Sequence, residues 1–505
     1  MIERNPARAS TETYDLLIIG GGICGAMLNL EAARHGLKSL LVERCDFGSA
    51  TSFNSLRIIH GGLRYLQSLD LPRFKESVEE RRWLLRHFPD LVKPLPCLMP
   101  LYHTGLKRPS VFHVALRLND FLSWRRNAGV DPRRHLPPGR VISAAETRHL
   151  FPAVSPTGLR GGAVWYDACV PDSQRLLTEV LRWSCALGAS ALNYVEATGL
   201  LEANHQVEGI VAYDRESNTI HEYRAPVVVN ASGPWSRVLA KRLMHRDEKR
   251  LFQSSIAWNL LFDREALSDH ALALTPTTPG GQTYFFHPWK GRLLVGTGHS
   301  AWNASSDDPM PSRDVLDKML EEINVTVPGL DLGHQDIVTV FAGLLPAKAQ
   351  GRAELASREV IWDHGKTGGP RGLYSAVGIK FTTARRVAEK TLARIYRRQR
   401  QGLSREAPTR PEPQTGWTEM ADRADGRDST LSALETEALR RLIGEESVMH
   451  LDDLIFRRTT LWETPQTTSL LAARICDLFP WDDLRREQEL DALARSFGGR
   501  ANLSV

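Results

Sequence analysis

The chain has 505 residues, of which 42% are hydrophobic and 24% charged, and its formal net charge is +5. This composition is typical of a globular protein of two or three domains, and a small positive charge without a recognisable basic motif argues against a nucleic-acid partner. No apolar run is long enough to span a bilayer, residues 1–12 lack a secretory signal, and the six cysteines show no CxxC spacing, so we expect a cytoplasmic protein with neither a zinc site nor a disulfide framework.

The first predicted elements are a strand, a glycine turn, a helix and a second strand between residues 14 and 43. The apolar run Leu16 to Ile19 leads into Gly20, Gly22 and Gly25, and a second apolar run ends in Glu43. Glycines at this spacing permit a tight turn, close approach to a diphosphate and close packing of the helix on the strand. The free N–H groups at the start of the helix attract phosphate, and Glu43 is placed to accept the ribose hydroxyls. The pattern predicts an adenine-dinucleotide site.

The next segment contains two adjacent glycines, Gly61 and Gly62, between His60 and Arg64. Such glycines suit a backbone that lies against a flat ring, with the two flanking side chains reaching past the ring to a substrate. An ordinary glycine turn with solvated charges is the alternative interpretation. Further along, helices are predicted over 71–86, 110–126 and 144–150, with an extended proline-containing segment at 94–100.

The helix predicted at 110–126 is amphipathic and has basic pairs at both ends, Lys107-Arg108 and Arg125-Arg126. A basic amphipathic helix can lie in the interface of a bilayer, so peripheral contact with the inner face of the cell membrane is one hypothesis. A helix that packs on its own domain with solvated ends is the alternative.

The middle of the chain is predicted to be rich in strands. A helix after Pro171 precedes three strand-like runs, 191–199, 207–214 and 219–224, which predict a β-meander. An apolar strand, 225–230, ends in Ala231, Ser232 and Gly233, small residues that let the backbone approach the glycine turn and a nucleotide. An ordinary buried strand followed by a turn is the alternative interpretation. Strands dominate 253–340, with one helix near 313–324.

A last strand, 372–376, ends at Gly378, and a helix is predicted from near Thr382 to 397. The positive end of this helix is expected to face an electron-rich ring and to stabilise negative charge on a reduced flavin. A routine strand–helix junction is the alternative. Residues 399–430 have the composition of a linker, and 431–505 predict a small helical domain.

These segments together resemble the FAD-dependent glycerol-3-phosphate dehydrogenase family of the D-amino-acid oxidase-like superfamily. The resemblance extends from Tyr14 to Arg397 and rests most of all on the His-Gly-Gly-Leu-Arg-Tyr-Leu sequence at 60–66. It implies an α/β fold: a Rossmann-like FAD-binding domain of the glutathione-reductase type, a β-rich cap domain and a C-terminal helical domain. The expected divisions are 12–95, 161–250 and 341–398 for FAD binding, 96–160 and 251–340 for the cap, 399–430 for the linker and 431–505 for the helical domain.

The resemblance implies non-covalent FAD and hydride transfer from a CH–OH carbon of a small alcohol to flavin N5. Electrons then pass to quinone at a membrane or to another acceptor. It gives catalytic roles to His60, Arg64 and Lys380, with His60 as the proton acceptor and Lys380 near the flavin edge. The positions that the resemblance and the motifs assign to cofactor binding are Gly20, Gly22, Gly25, Glu43, Thr51, Ser52, Gly61, Gly62, Ala231, Gly233, Gly378 and Thr382.

The sequence departs from the family where a substrate phosphate is expected to bind. The family's Gly-x-Arg-Pro has Leu345 in place of the arginine, its Lys-Gly-Ser-His has Ile256 in place of the histidine, and its Gly-Thr-Thr-Asp ends here in His299. A leucine cannot replace a bidentate guanidinium, and Lys348 and His299 are the available substitutes.

These departures leave the substrate open between glycerol 3-phosphate and a larger or less charged alcohol. Two other functions stay open as well. One is an FAD-dependent amine or amino-acid oxidase, which shares the glycine motif but lacks the sequence at 60–66. The other is a catalytically decayed flavoprotein that acts as a binding or assembly component.

Overall fold

The computed structural model describes residues 1–102, 108–276, 281–304, 309–349, 351–396, 410–412 and 431–501. In chain order its helices and strands are α1 (Pro6–Ser10), β1 (Leu16–Ile19), α2 (Ile23–Arg34), β2 (Ser39–Val42), β3 (Ile58–Ile59), α3 (Leu63–Gln67), α4 (Leu71–His87), β4 (Lys93–Tyr102), α5 (Pro109–Leu122), β5 (Arg140–Ser143), α6 (Ala144–Leu150), β6 (Leu159–Cys169), α7 (Ser173–Ala186), β7 (Ser190–Leu192), β8 (Val195–Ala203), β9 (Gln206–Asp214), β10 (Thr219–Arg224), β11 (Val228–Asn230), α8 (Ser236–Met244), β12 (Ser254–Glu265), β13 (Ala271–Leu274), β14 (Tyr284–Trp289), β15 (Arg292–Ala301), α9 (Arg313–Thr326), β16 (Ile337–Pro346), β17 (Val360–Asp363), β18 (Leu373–Val377), α10 (Ala384–Ile395), α11 (Ala433–Glu445), α12 (Pro465–Cys476) and α13 (Asp483–Ala501).

The α/β domain is built on a six-stranded sheet in the order β17-β18-β11-β1-β2-β7, parallel except for the edge strand β17. Leu16 and Ile18 of β1 pack on the side of helices α2, α7 and α10. Leu17 and Ile19 pack on the opposite side, against a three-stranded antiparallel sheet of β8, β9 and β10. Because strands covered on both faces are apolar throughout, β1 and β2 stand out in the sequence.

The cap domain is built on a second, larger sheet in the order β16-β12-β15-β14-β13-β4-β6-β3, with β5 paired to β6. One face of this sheet packs on α9, where the indole N–H of Trp258 points at the sulfur of Met319, 3.1 Å away. The other face turns toward the α/β domain, and there the Asn259 amide lies 3.4 Å from the carbonyl oxygen of Asn54. This second face forms one wall of the site described below.

The C-terminal helical region packs on both other domains rather than standing apart. Helices α11, α12 and α13 and a π-helical turn, Asp453–Arg458, share a core with Phe53 of the α/β domain and with Trp289 and Phe341 of the cap sheet. Trp462 stands at this junction, with its ring centroid 5.5 Å from Phe53 and 5.8 Å from Trp289.

The predicted combination of an α/β domain, a β-rich domain and a C-terminal helical region is confirmed, but several expected boundaries are wrong. Strand β6 runs to Cys169 and β16 to Pro346 within the cap sheet, so the cap segments end later than residues 160 and 340. The run 191–199 is two strands in different sheets, because Tyr194 has φ of 57° and breaks it. The helix expected near Thr382 begins at Ala384. The predicted linker, 399–430, lies outside the described residues except for 410–412.

Candidate functional site

The glycine turn between β1 and α2 is closely packed on both sides. A Cβ on Gly25 would lie 1.9 Å from the carbonyl oxygen of Gly20, so helix and turn meet at a distance that only glycine allows. Gly20 has φ of 115°, and a Cβ there would lie 2.8 Å from the backbone of Ala231 and Ser232. Gly22 is the N-cap residue of α2 and gives no side-chain cap, so the positive end of the helix, which attracts anions, lies at this turn.

Three side chains surround this turn. The Glu43 carboxylate accepts hydrogen bonds from the backbone N–H groups of Gly21, at 2.6 Å, and Cys45, at 2.9 Å. Burial raises the pKa of Glu43. The Ser52 hydroxyl accepts from the N–H of Ile23 at 2.9 Å, and the Thr51 hydroxyl donates to the carbonyl of Leu344 at 3.2 Å. The loop with Thr51 and Ser52 therefore joins the start of α2 to the cap sheet.

The segments after β11 and β18 converge on the same place. The Ala231 N–H donates to the carbonyl of Ile19, and Gly233 has φ of 53° with open space where a Cβ would be. Gly378 faces the sulfur of Cys24 in the first turn of α2, and a Cβ there would lie 2.5 Å from it. Thr382 is buried just before α10. Because β1, β2, β11 and β18 are parallel, the residues that follow them, Gly20, Glu43, Ala231 and Gly378, lie at the same carboxyl edge of the sheet.

The turn with His60, Gly61 and Gly62 packs on a buried ion pair between Asp167 and Arg81. The Asp167 carboxylate accepts from the N–H of Gly61 at 2.6 Å and from the Arg81 guanidinium at 2.7 Å, and lies 3.6 Å from the His60 ring. Burial alone raises the pKa of Asp167, but His60 and Arg81 hold it below its usual value. A Cβ on Gly61 would run into Arg81, so the glycine makes room for this support.

The exposed side of the same turn has two cations close together. Arg64 on α3 is exposed and makes no ion pair with any described residue. Lys380, which precedes α10, bonds to the hydroxyl of Tyr65, and its ammonium lies 4.4 Å from the centre of that ring. Loss of hydration and repulsion from Arg64 lower the pKa of Lys380 to about 8. His60, Arg64, Tyr65 and Lys380 are named the ring-end cluster below.

The face of the cap sheet that turns toward the α/β domain includes Leu345, Ala257 and His299. Leu345 is half-buried on the same face of β16 as Gly343. A Cβ on Gly343 would lie 3.0 Å from the side chain of Thr51. His299 on β15 lies beside Ala257, and burial together with the charge of Arg64 lowers the pKa of His299. Lys348 is exposed and paired with Glu354.

Ile256, which stands where the family's motif has a histidine, lies on the face of the cap sheet that packs on α9. Ile256 is 2% exposed and packs in the core on the α9 side of the cap sheet, together with Trp258. Side chains alternate along a strand, so the next residue, Ala257, is the one on the site face.

Three supporting residues were absent from the sequence-based assignment. Tyr65 lies within the 60–66 sequence, and Asp167 lies in Tyr166-Asp-Ala-Cys-Val-Pro-Asp172, which also resembles the family, so both had a local signal. Arg81 had none, because it is one of several arginines on α4 and only the folded chain brings it to Asp167.

A family model described as FAD dependent oxidoreductase (DAO) matches residues 15–394. The chain is 31% identical over 422 residues to a glycerol-3-phosphate dehydrogenase of Synechocystis sp., across 81% of this chain and 74% of that protein. It is 31% identical over 381 residues to an aerobic glycerol-3-phosphate dehydrogenase of Bacillus subtilis, across 75% and 66%. A structure of the glycerol-3-phosphate dehydrogenase from Bacillus halodurans complexed with FAD has the same fold, with a TM-score of 0.72 at 22% identity over 98% and 97% of the chains.

The residues at the glycine turn fit the cofactor that this family binds. Gly20 and Gly25 let the turn pack closer to α2 and to Ala231 than any Cβ would allow, α2 begins at this turn, and Glu43 lies beside it. These are the groups that a diphosphate and a ribose require. On the match over most of its length and on this fit, the chain belongs to the DAO family of FAD dependent oxidoreductases.

Proposed function

We propose that the protein oxidises glycerol 3-phosphate, or a closely related phosphorylated alcohol, to the corresponding ketone. Relatives at 31% identity are named glycerol-3-phosphate dehydrogenases, which supports this substrate class. FAD, when bound, supplies the two-electron acceptor. The remaining requirements, which are to bind an anion, to orient a hydroxyl and to take up its proton, fall on side chains of this chain.

The observation that carries the proposal is the pair of cations in the ring-end cluster. Lys380 bonds to the hydroxyl of Tyr65, the residue next to Arg64, and the charge of Arg64 helps to lower the pKa of Lys380. Neither cation forms an ion pair with a carboxylate of the described residues. Two like charges held together destabilise the empty site, and an anionic ligand relieves that repulsion. A phosphate monoester supplies two negative charges and several acceptor oxygens.

We assign proton uptake to His60. Its ring lies 3.6 Å from the Asp167 carboxylate and packs at 5.4 Å against Phe285 of the cap sheet. A carboxylate beside one ring nitrogen orients the imidazole, while the other nitrogen faces away from Asp167. His60 thus takes the hydroxyl proton, and Arg64 and Lys380 hold the phosphate.

The test is anaerobic reduction of the purified holoenzyme, in which the loss of flavin absorbance measures the reaction. Glycerol 3-phosphate is expected to bleach the flavin, and glycerol at the same concentration is expected to leave it oxidised. Bleaching by glycine or proline alone overturns the proposal in favour of an amine oxidase. A flavin that stays oxidised with every compound favours a protein without catalysis.

A larger phosphorylated alcohol is a useful further substrate in the same assay. Leu345 and Ala257 are apolar residues on the face of the cap sheet that turns toward the α/β domain. Faster bleaching by an alcohol with an apolar extension than by glycerol 3-phosphate assigns that surface to substrate selection.

We also propose that α5 contacts a lipid surface, where a quinone or another membrane-bound acceptor takes up the electrons. Val114 and Phe121 are 66% and 75% exposed on the outer face of α5, whose inner face packs through Phe112 and Leu116. Trp124, just beyond the end of α5, is 77% exposed. Arg108, Arg117 and Arg125 are exposed beside them. Apolar side chains flanked by arginines match the interface of an anionic bilayer. Within the described ranges every helix is too short or too polar to cross a bilayer.

Vesicle sedimentation tests this contact. The protein is expected to sediment with vesicles containing phosphatidylglycerol, and a Phe121→Ser, Trp124→Ser variant is expected to stay in solution with its flavin and its bleaching rate unchanged. Equal sedimentation of both proteins removes α5 from the proposal.

A further inference from the structure

A buried carboxylate, Asp46, lies in the loop that follows Glu43. It is 1% exposed and accepts four hydrogen bonds: from Asn193 at 2.9 Å, from Arg457 at 2.6 Å, and from Arg458 at 2.7 and 2.8 Å. Burial opposes ionisation, but Arg458 and Arg457 hold the pKa of Asp46 well below its usual value. Asp46 is therefore a charged group that depends on its two arginines.

Both arginines come from the C-terminal helical region, in the turn Asp453–Arg458. Arg458 is 1% exposed and also donates to the backbone carbonyl of Glu446 at 3.1 Å. The Glu446 carboxylate in turn accepts two hydrogen bonds from Arg175 of α7, at 2.7 and 2.9 Å. The C-terminal region is thus fixed to the α/β domain through Glu446 as well as through Asp46.

The loop at Asp46 is part of the dinucleotide site. On one side of Asp46, the Glu43 carboxylate bonds to Gly21 and Cys45, and the carbonyl of Cys45 accepts from the N–H of Tyr194 at 3.1 Å. On the other side, the N–H of Gly48 donates to the carbonyl of Gly21 at 3.1 Å. The backbone from 43 to 48 therefore closes around the glycine turn, with Asp46 at its outer edge.

We propose that Arg458 and Arg457 are positioning residues for FAD: they hold Asp46 and so fix the 43–48 loop, with Glu43, against the glycine turn. The C-terminal helical region then supports the cofactor site indirectly, through Asp46, although it is far from the glycine motif in sequence. The inference rests on FAD binding by the family and is independent of the substrate.

The guanidinium of Arg458 is held in a geometry that a general packing role does not require. Arg458 uses both ends of its guanidinium on Asp46 and its Nε on the Glu446 carbonyl, so the angle of the side chain is fixed. A lysine keeps the charge but cannot donate two parallel hydrogen bonds to the carboxylate as a guanidinium does. The strength of FAD binding is therefore expected to follow the guanidinium, not the charge alone.

The test measures the FAD dissociation constant of the full-length apoprotein by flavin fluorescence, without substrate. Arg458→Met is expected to raise this constant at least tenfold, Asp46→Asn at least threefold, and Arg458→Lys by an intermediate factor. Hydrogen–deuterium exchange of the peptide that covers 43–48 is expected to speed up in the same order. If Arg458→Met does not fold, Asp46→Asn and Arg458→Lys decide the question.

Glu216→Gln is the matched control. Glu216, in the turn between β9 and β10, accepts from the His450 ring at 2.9 Å and so ties the C-terminal region to the α/β domain away from Asp46. This variant is expected to change the FAD dissociation constant less than twofold. The proposal is overturned if Glu216→Gln loosens FAD as much as Arg458→Met does, if both Asp46→Asn and Arg458→Met bind FAD within twofold of the unaltered protein, or if the loop exchanges at its normal rate while FAD is lost.

Discussion

Charged side chains gather at two places along the dinucleotide site, and the two groups are built in opposite ways. In the ring-end cluster, Arg64 has no ionic partner among the described residues and Lys380 has only the hydroxyl of Tyr65. At the 43–48 loop, Asp46 accepts four hydrogen bonds and both of its arginines are fixed by further partners.

The difference separates charges that bind a ligand from charges that hold the fold. A buried charge is tolerated only when its partners replace water, so the network around Asp46 has little attraction left for a ligand. Exposed cations without partners keep their field and attract anions. Pairing, rather than the number of charges, therefore indicates which cluster meets the substrate.

The buried ion pair of Asp167 and Arg81, next to His60, gives the largest expected effect. Asp167→Asn leaves Arg81, which is 3% exposed, without an ionic partner, and we expect the free energy of unfolding to fall by about 3 kcal/mol. Urea unfolding of the holoenzyme measures this. Asp131→Asn, which breaks an exposed pair with Arg133, is the control and should leave the unfolding midpoint unchanged. An Asp167→Asn protein as stable as the control would mean that this pair does not support the turn.

Removal of an unpaired cation should affect catalysis and leave stability alone. Lys380→Met is expected to lower kcat/KM for glycerol 3-phosphate about 100-fold, because a charged contact to a phosphate contributes about 2–5 kcal/mol to binding. The FAD content and the unfolding midpoint should stay as they are. A drop of less than threefold would place Lys380 outside the substrate contacts.

The pH dependence of the reaction sharpens the same point. The pKa of Lys380 lies at about 8, below its usual value of 10.5, so the ammonium is lost as the pH rises through 8. Above that pH we expect kcat/KM for an anionic substrate to fall by up to tenfold per pH unit, and Lys380→Arg to remove the fall because arginine stays charged. Initial rates between pH 6.5 and 9.5 measure this. A profile that Lys380→Arg does not change assigns the ionisation to another group.

Much of the α/β domain could be predicted from the sequence because the residues that define it lie close together along the chain. Residues 14–43 contain two buried strands, the glycine spacing and Glu43 within one short stretch. The rest depends on contacts between distant residues. No local pattern shows that Tyr194 breaks a strand, that Arg81 meets Asp167 or that Arg458 meets Asp46, and alternation along β12, not similarity, decides that Ala257 rather than Ile256 faces the site.

Substitution of Lys348 has the smallest expected effect, and it tests whether the cations that bind phosphate extend beyond the ring-end cluster. By sequence it is a substitute for the arginine that Leu345 replaces, but the folded chain pairs it with Glu354 in an exposed position, where an ion pair contributes little. Lys348→Ala is therefore expected to change kcat/KM for glycerol 3-phosphate less than twofold and FAD binding not at all. A tenfold loss in kcat/KM would show that Lys348 leaves Glu354 to reach the substrate, and that the charges available for phosphate are not confined to Arg64 and Lys380.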